Sequence, residues 1–231
     1  MLLPNWGTDG QKRLKSAKVI VAGAGGLGCP ASLYLAAAGV GKLTIIDKDK
    51  FELSNLNRQI LGWQGDIGCF KAEVVAEKLI ALNPEIKVHP LVIEITEENI
   101  SELIQDADII VDALDNWKTR FIINAECVRR EIPFIHAGIS GLYGQMMTII
   151  PGKSPCLLCL LPKTPKETSK FPVLGVTPAV FASLQVMETI KLIVGFGEIL
   201  IRKMLLFDIE SMNFTVINVK RNPECPICAH L

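Results

Sequence analysis

Short apolar runs rich in β-branched residues alternate along the first part of the chain with longer stretches of helical periodicity. The short runs predict strands at residues 18–22, 42–47, 86–93, 108–113 and 133–137. The periodic stretches predict a helix that ends near residue 38 and further helices at 71–82, 96–104 and 116–130. This alternation is typical of an α/β fold with a mostly parallel sheet and helices on both faces.

A different pattern begins at residue 141. Residues 141–151, 204–209 and 214–219 read as extended, antiparallel strands, and a long apolar helix is predicted at 178–194. A loop rich in proline, lysine and threonine, at 162–172, has little to bury and is predicted to be mobile. We interpret residues 1–231 as one domain with two halves, at about 18–138 and 139–231.

Composition and charge narrow the class of protein. Hydrophobic residues make up 49% of the chain, yet no uninterrupted apolar run reaches the roughly 18 residues that a membrane span requires. The N-terminus lacks the order of charge, apolar core and small residues that marks a secretory signal. The 24 basic and 24 acidic residues balance and form no basic stripe. We therefore expect a cytoplasmic protein that binds neither membranes nor nucleic acid.

Four of the seven cysteines form two Cys-x-x-Cys pairs, Cys156/Cys159 and Cys225/Cys228. The odd total and the paired spacing favour a metal in a reducing compartment over disulfides. Four thiolates would complete a closed tetrahedral Zn²⁺ site with a structural role. A redox function is the alternative for either pair alone, whereas the presence of two pairs favours zinc.

The loop GAGGLG, at residues 23–28, separates the first strand from the helix that follows, and Asp47 ends the next strand. Glycines allow the backbone to approach phosphates at a helix N-terminus, while the acid accepts hydrogen bonds from a ribose. The pattern predicts a Rossmann-like nucleotide site, and by itself it suggests a dinucleotide such as NAD. A tight turn that binds no ligand is the alternative.

Charged residues beyond the ribose acid favour a triphosphate ligand. Arg58 and Lys71 can neutralise phosphates, Arg58 as a bidentate clamp. Asp115 follows the fourth strand at the carboxyl edge of the sheet, where ligands bind, and it suits Mg²⁺. Considered singly, the two cations are more typical of a solvated surface, and Asp115 is equally suited to a helix N-cap. The nucleotide hypothesis requires all three to converge.

Taken together, GAGGLG, the segment DKD followed by SNLNRQ, Lys71 and the tripeptide LDN at 114–116 resemble the MoeB/ThiF/HesA family. These proteins are adenylyltransferases of sulfur carriers and relatives of the ubiquitin-activating enzymes, and the resemblance runs from about residue 3 to 228. It implies a homodimer that binds Mg²⁺ and ATP. Such an enzyme adenylates the C-terminal glycine carboxylate of a small ubiquitin-like protein of the MoaD or ThiS type, for molybdopterin, thiamine or thiolated-tRNA synthesis, and releases pyrophosphate.

The resemblance also implies roles for single residues. Asp47 would bind the ribose, Asp115 would hold Mg²⁺, and the catalytic residues would be Arg58, Lys71 and Asp115. The nucleotide-binding set would be Gly23, Gly25, Gly26, Gly28, Asp47, Asp49, Asn55, Arg58, Gln59, Lys71 and Asn116. A carboxylate is already ionised at neutral pH, so the reaction needs charge neutralisation and in-line positioning rather than a general base. His136, at a strand end, is accordingly predicted to pack and not to catalyse.

Two features depart from the family pattern. Relatives often begin with an arm whose arginine reaches the partner subunit's ATP site, and the chain is expected to lack that arm. The nearest arginine, Arg13, is predicted to lie on a solvated helix face and not to replace it. Relatives that pass the carrier to a cysteine hold it in the loop before the long helix, and residues 163–176 contain none. Cys29 is predicted to pack, while Cys69 and Cys127 are assigned no role. We therefore predict adenylation without covalent transfer.

Other functions fit parts of this pattern. The substrate carboxylate can instead belong to a peptide or to a small cofactor precursor such as a pyridinol acid. The glycine loop alone fits an NAD-dependent oxidoreductase, and the missing arm fits a non-catalytic dimer. Residues 138–149 and 162–172 are predicted to select the substrate. Residues 141–150 and 180–193, too apolar for solvent, are predicted at the dimer interface.

Overall fold

The computed structural model describes residues 6–163, 165 and 172–231. The described residues form one eight-stranded sheet: β1 (Lys18–Ala22), β2 (Lys42–Ile46), β3 (Lys87–Leu91), β4 (Ile109–Asp112), β5 (Phe134–Ser140), β6 (Tyr143–Ile149), β7 (Lys203–Asp208) and β8 (Asn213–Asn218). The helices are α1 (Gly7–Ser16), α2 (Gly28–Ala38), α3 (Lys71–Leu82), α4 (Ile100–Leu103), α5 (Trp117–Arg129), α6 (Leu157–Leu160) and α7 (Val176–Val194), with short 3-10 turns at Leu53–Asn55 and Gln64–Asp66. Most of the loop predicted to be mobile, like the first five residues, lies outside the described residues.

The strand order in the sheet is β3-β2-β1-β4-β5-β6-β7-β8. Pairing is parallel from β3 to β5 and antiparallel from β5 to β8, which confirms the predicted change of pattern near residue 141. The strand order runs from β1 to β2 and β3 on one side and from β4 to β5 on the other, so the direction of the crossovers reverses between β1 and β4. Ligands of α/β sheets bind at such a switch point.

Two apolar clusters lie on opposite faces of the sheet and confirm the prediction of helices on both faces. Helices α2, α3 and α7 cover one face together with the buried Phe181 and Leu35. Helices α4, α5 and α6 cover the other face, where Phe134 and Ile123 are buried. The sheet is therefore the middle layer of a three-layer domain, and ligands of such sheets bind at its carboxyl edge.

Helix α7 contributes much of the core. Among the described residues it is the helix whose length and apolar composition would suit a membrane span, with a mean hydropathy of 1.3. A core helix has the same composition, and here Phe181, Gln185 and Glu188 are buried. Gln185 donates hydrogen bonds to carbonyls of β4 and β5, and Glu188 accepts one from a threonine hydroxyl of β6. We interpret α7 as the central helix of the α/β core, and cytoplasmic location stays a prediction.

The structure adds contacts that the sequence did not predict for Arg13 and for the two segments expected at the dimer interface. Arg13 is exposed on α1, as predicted, and its Nη1 also donates to the carbonyl of Val194 at 2.6 Å, which caps the end of α7. Strand β6 lies inside the sheet between β5 and β7, and one side of α7 is buried against it. Part of the apolar character of both proposed interface segments is thus accounted for within one chain, Met187 of α7 is 54% exposed, and the homodimer stays a prediction.

Candidate active site

A cleft of about 1560 Å³ opens at the carboxyl edge of the parallel strands. Its walls come from the glycine loop, the ends of β2 and β4, the segment at 52–59 and the outer strands β5 to β8. Small-molecule sites usually enclose about 300–1,000 Å³. The cleft therefore has room for a nucleotide and for part of a second, larger ligand.

The glycine loop forms the floor of the cleft at the N-terminus of α2. Gly23 adopts a φ of +104°, and a Cβ on it would lie 2.5 Å from the carbonyl oxygen of Ala113. A Cβ on Gly28 would lie 1.9 Å from the Gly23 carbonyl oxygen. Gly23, Gly25 and Gly26 line the cleft, whereas Gly28 does not. Gly23 and Gly28 allow the loop to pack closely on Ala113 and on its own backbone, while Gly25 and Gly26 leave the half-buried backbone open to a ligand.

Asp47 connects the end of β2 to the glycine loop. Its carboxylate accepts hydrogen bonds from the backbone N–H groups of Ala24 at 2.7 Å and Asp49 at 2.8 Å. Burial raises the pKa of this carboxyl above its ordinary value, against the effect of these two bonds. The two bonds fix the carboxylate beside the loop, in the place that a ribose-binding acid occupies in nucleotide folds of this kind.

Lys71 and Arg58 approach the cleft from different elements. Lys71, the first residue of α3, is buried, and its Nζ lies 3.6 Å from the carboxylate of Asp49. Arg58 is half-buried, and its Nη1 donates to Ser54 O at 3.0 Å and to Asn57 Oδ1 at 2.9 Å. Lys71 is thus not a solvated surface charge, and both cations line the cleft beside the glycine loop.

Two amides of the segment at 52–59 differ in their position. Asn55 does not line the cleft: its Oδ1 accepts from the Glu52 backbone N–H at 3.1 Å and closes a 3-10 turn. Gln59 does line the cleft and is buried beside Gly25. Its Oε1 has no hydrogen-bond partner among the described residues. A buried polar atom normally has a partner, so Gln59 is suited to contact a ligand above the glycine loop.

The structure distinguishes the two functions that the sequence allowed for Asp115, a helix N-cap and a Mg²⁺ ligand. The Oδ1 of Asn116 accepts from the Thr119 backbone N–H at 2.9 Å and caps α5. The hypothesis that Asp115 is the cap is therefore wrong. Asp115 is exposed at the wall of the cleft, one residue before the cap and directly after β4. Its carboxylate is a hard oxygen donor of the type that Mg²⁺ prefers.

A buried ionic cluster beneath the cleft was missed at the level of sequence. Asp112 is fully buried, and its Oδ2 lies 3.0 Å from Arg120 Nε and 2.6 Å from His136 Nδ1. Burial alone would raise the pKa of Asp112, but Arg120 and His136 hold it below its ordinary value, while burial lowers the pKa of His136. His136 is buried as predicted, with a polar partner that was not predicted. The available signal was an aspartate that ends the otherwise apolar strand β4.

The cleft continues as a groove across one face of β5 to β8. In the strand register, Gly138, Gln145, Leu206 and Thr215 form one row, and Ser140, Tyr143, Asp208 and Asn213 form the next. All eight residues line the cleft. Because side chains alternate across a strand, these residues share one face of the sheet. This groove, defined by the two rows, is open, largely polar and continuous with the glycine-loop end.

Away from the cleft, the four cysteines of the two pairs converge. Their Sγ atoms all lie within 4.8 Å of one another. The Cys156–Cys225 and Cys159–Cys228 pairs are separated by 3.6 and 3.4 Å. A tetrahedral site with Zn–S bonds of 2.3 Å has sulfur atoms about 3.8 Å apart, whereas a disulfide bond is about 2.0 Å long. The cluster therefore fits a tetrahedral zinc site and contains no disulfide bond.

The surroundings of the cysteine cluster support ligation. Burial raises the pKa of the Cys156 and Cys159 thiols, whereas the Arg221 guanidinium and the neighbouring sulfur atoms lower that of Cys228 to about 7 against the effect of burial. The Asn222 backbone N–H donates to Cys159 Sγ at 3.4 Å. Asn124 of α5 accepts from the Leu157 backbone N–H at 2.8 Å, which fixes the first pair against the helical layer. Such outer contacts orient metal ligands.

The remaining cysteines lie outside both sites. Cys29 is buried, and burial raises the pKa of its thiol to about 12, in agreement with the predicted packing role. Cys127 is buried and its pKa is likewise raised by burial, while Cys69 is exposed. None of the three lines the cleft.

Known proteins match the chain along its length. A model of the ThiF family matches residues 1–227. Protein HesA of Nostoc sp. is 41% identical over 234 residues, which cover 100% of this chain and 92% of that protein. The sulfur carrier protein adenylyltransferase of Thermus thermophilus is 40% identical over 238 residues, which cover 99% and 88% of the two chains.

Solved structures of MccB are similar to this chain along nearly its whole length. The crystal structure of E. coli MccB with ATP superposes with a TM-score of 0.87 at 29% identity, and covers 96% of this chain and 69% of that chain. The complex of MccB, a microcin C7 biosynthetic enzyme, with N-formylated MccA gives a TM-score of 0.88, also at 29% identity, over 95% and 70% of the two chains.

Proposed function

The chain belongs to the ThiF family and is an adenylyltransferase that activates a carboxylate, and from this premise we propose that its substrate is a small ubiquitin-like sulfur carrier. The carrier's C-terminal glycine carboxylate would attack the α-phosphate of ATP and form an acyl-adenylate, with pyrophosphate as the leaving group. Family membership implies the use of ATP. The NAD-dependent alternative finds no support in the names of these relatives.

The observation that carries the proposal is the groove that leads from the glycine loop across β5 to β8. Strands in a sheet are spaced by about 4.8 Å, so the groove crosses about 14 Å of sheet. An extended chain advances about 3.3 Å per residue. The groove therefore accommodates about four residues of an extended C-terminal tail, with the carboxylate at the glycine-loop end and the folded body of a carrier beyond β8.

The cleft residues can perform the reaction without a general base. We assign Asp47 to the ribose and Arg58, Lys71 and Gln59 to the phosphates. The Asp115 carboxylate would hold Mg²⁺, which would neutralise the charge of the departing pyrophosphate. The cations on the glycine-loop side reduce the repulsion between the incoming carboxylate and the polyphosphate. The groove walls hold the carboxylate in line, and this positioning replaces a bimolecular encounter.

A peptide is the second candidate substrate, and a specific observation favours it. MccB, the protein in the superposed structures, occurs there with MccA. The groove is suited to any extended chain that ends in a carboxylate, so its shape alone does not discriminate. The higher identity to the Thermus thermophilus sulfur carrier enzyme, 40% against 29% for MccB, favours the carrier.

Exchange of labelled pyrophosphate into ATP tests the proposal. The exchange should depend on a full-length ubiquitin-like carrier and be lost when the carrier's terminal glycine is removed. A short peptide with the same last residues separates the candidates, because peptide-stimulated exchange at equal or lower concentration would favour a peptide substrate. Exchange without any carboxylate-bearing protein or peptide, or a requirement for NAD, would refute both.

Substitution of a groove residue should weaken carrier binding alone. Tyr143 is 54% exposed and lies on β6, in the row of the groove that also contains Ser140. We expect Tyr143→Ala to raise the KM for the carrier by about tenfold, the loss of one anchoring contact, with the KM for ATP unchanged. Tyr34→Ala is the matched control, since Tyr34 is 53% exposed and does not line the cleft. Equal KM values for the two variants would argue against a tail in this groove.

A further inference from the structure

The sheet divides at the cleft between β4 and β5. These strands pair in parallel at Ile110↔Phe134 and Val111↔Ile135. Beyond Val111, β4 runs into the loop that carries Asp115, while β5 continues to Ser140 against β6. The split therefore separates the segment of the proposed Mg²⁺ ligand from the segment that begins the groove.

Two side chains from opposite faces of the sheet bridge this split. From α7, Gln185 Nε2 donates to Asp112 O at 2.7 Å and to Ile135 O at 2.8 Å. From α5, Arg120 bonds the Asp112 carboxylate through Nε and donates through Nη2 to Leu114 O and to Ala137 O, the latter at 2.9 Å. Each of the two side chains therefore forms hydrogen bonds both with β4 or the residues that follow it and with β5.

The position of Arg120 links this bridge to the cleft. Its guanidinium lies 4.9 Å from the ring of Trp117, and it lines the cleft although its side chain is buried. Leu114 O, which it binds, belongs to the residue directly before Asp115. Ala137 O, its other carbonyl, belongs to the residue directly before Gly138, which begins the groove row that continues with Gln145.

We propose that Arg120 is a positioning residue of the adenylation site, which sets the separation between Asp115 and the start of the groove. Stability alone is a weak reason for this cluster, since a buried ion pair is often no more stabilising than apolar residues of the same volume. The planar guanidinium supplies donors in fixed directions, and a lysine ammonium does not reproduce that fork. The inference rests on the proposed function, because it assigns Asp115 to Mg²⁺ and the groove to the substrate's carboxyl end.

Arg120→Lys tests the positioning role, because it keeps the positive charge beside Asp112 and loses the rigid fork. We expect kcat for pyrophosphate exchange to fall by about 100-fold, the cost of a misplacement of about 1 Å. We also expect the Mg²⁺ concentration for half-maximal binding of a fluorescent, non-hydrolysable ATP analogue to rise by about tenfold. The analogue's affinity at saturating Mg²⁺ should change by no more than about threefold.

The matched control is Arg129→Lys, which changes an arginine on the same helix that is paired with Glu126 away from the cleft. It should leave all three quantities unchanged. If Arg120→Lys fails to fold, Gln185→Leu removes the other bridge without a charge change. It should lower kcat and raise the Mg²⁺ concentration for half-maximal analogue binding in the same directions but by smaller factors. Wild-type Mg²⁺ dependence and kcat in a folded Arg120→Lys protein would overturn the inference.

The proposed function can fail separately. If wild-type protein shows no exchange with any carrier or peptide, the proposed function fails, and the Mg²⁺ dependence of analogue binding still tests the bridge. If exchange is present and Asp115→Asn abolishes it while Arg120→Lys does not alter it, only the positioning role fails.

Discussion

Asp115→Asn is expected to reduce pyrophosphate exchange by about a thousandfold, the size of effect seen when one charge-stabilising group of a phosphoryl or acyl transfer site is removed. The reason is the position of the carboxylate. It is exposed at the cleft wall directly after β4, and the neighbouring Asn116 fulfils the capping function. An amide of the same shape keeps one oxygen and loses the negative charge that a divalent cation requires.

The same position makes the result easy to interpret. Because Asp115 is exposed and does not cap α5, the variant should melt within about 1 °C of the wild type. Binding of an ATP analogue without Mg²⁺ should be unchanged, whereas the gain in affinity on addition of Mg²⁺ should disappear. Asp9→Asn, an exposed carboxylate on α1, is the control for the loss of one negative charge. Exchange within about tenfold of the wild type, with normal Mg²⁺ dependence, would contradict the assignment of Asp115.

The sequence predicts the fold closely where local pattern and tertiary packing agree. Strand β1 and helix α3 begin and end at the predicted residues. In β1, a run of β-branched residues is buried on both faces, and such runs occur in the middle of parallel sheets. In α3, apolar residues at helical spacing end at an Asn-Pro pair, which stops a helix. Both signals lie within a few residues of one another, so no long-range information is required.

Other contacts depend on residues that the fold alone brings together. Asp112 and His136 are 24 positions apart, and the bridges of Gln185 to Asp112 and of Arg13 to Val194 span 73 and 181 positions. No periodicity connects such pairs. Arg13 in particular stands among polar neighbours on a helix, which is the pattern of a solvated face. Only the packing of α1 beside the end of α7 gives it a carbonyl to cap.

In the candidate site, too, residues with local sequence signals were predictable and residues placed by tertiary contacts were not. The glycine loop and Asp47 were predicted because their functions depend on a strand, a tight turn and a helix that are adjacent in sequence. Asn55 and Gln59 were equivalent in the sequence, and only the 3-10 turn separates them, since it turns Asn55 inward to Glu52. The groove residues on β5 to β8 could not be grouped, because their rows depend on the register of three antiparallel pairs.

Cys225→Ser is expected to lower the melting temperature by about 10 °C. Loss of a structural metal site costs about 4 kcal/mol or more of the free energy of unfolding, and 1 kcal/mol shifts Tm by about 2–4 °C for a domain of this size. The site joins the segment after β6 to the segment after β8, where local secondary structure is sparse. Calorimetry, together with zinc determination on protein prepared without added metal, measures both parts of the prediction.

Chelation should give the same result as the substitution, because the four converging cysteines, three of them buried and Cys159 half-buried, would be left without a cation. Wild-type protein stripped of metal should melt near Cys225→Ser, and one equivalent of Zn²⁺ should restore Tm in the wild type alone. Cys69→Ser, at an exposed cysteine outside the cluster, should keep its zinc and its Tm. A metal-free wild type that melts unchanged would refute a structural zinc site. In that case the cohesion of the β6 to β8 end would have to come from apolar packing around Leu157 and Met204.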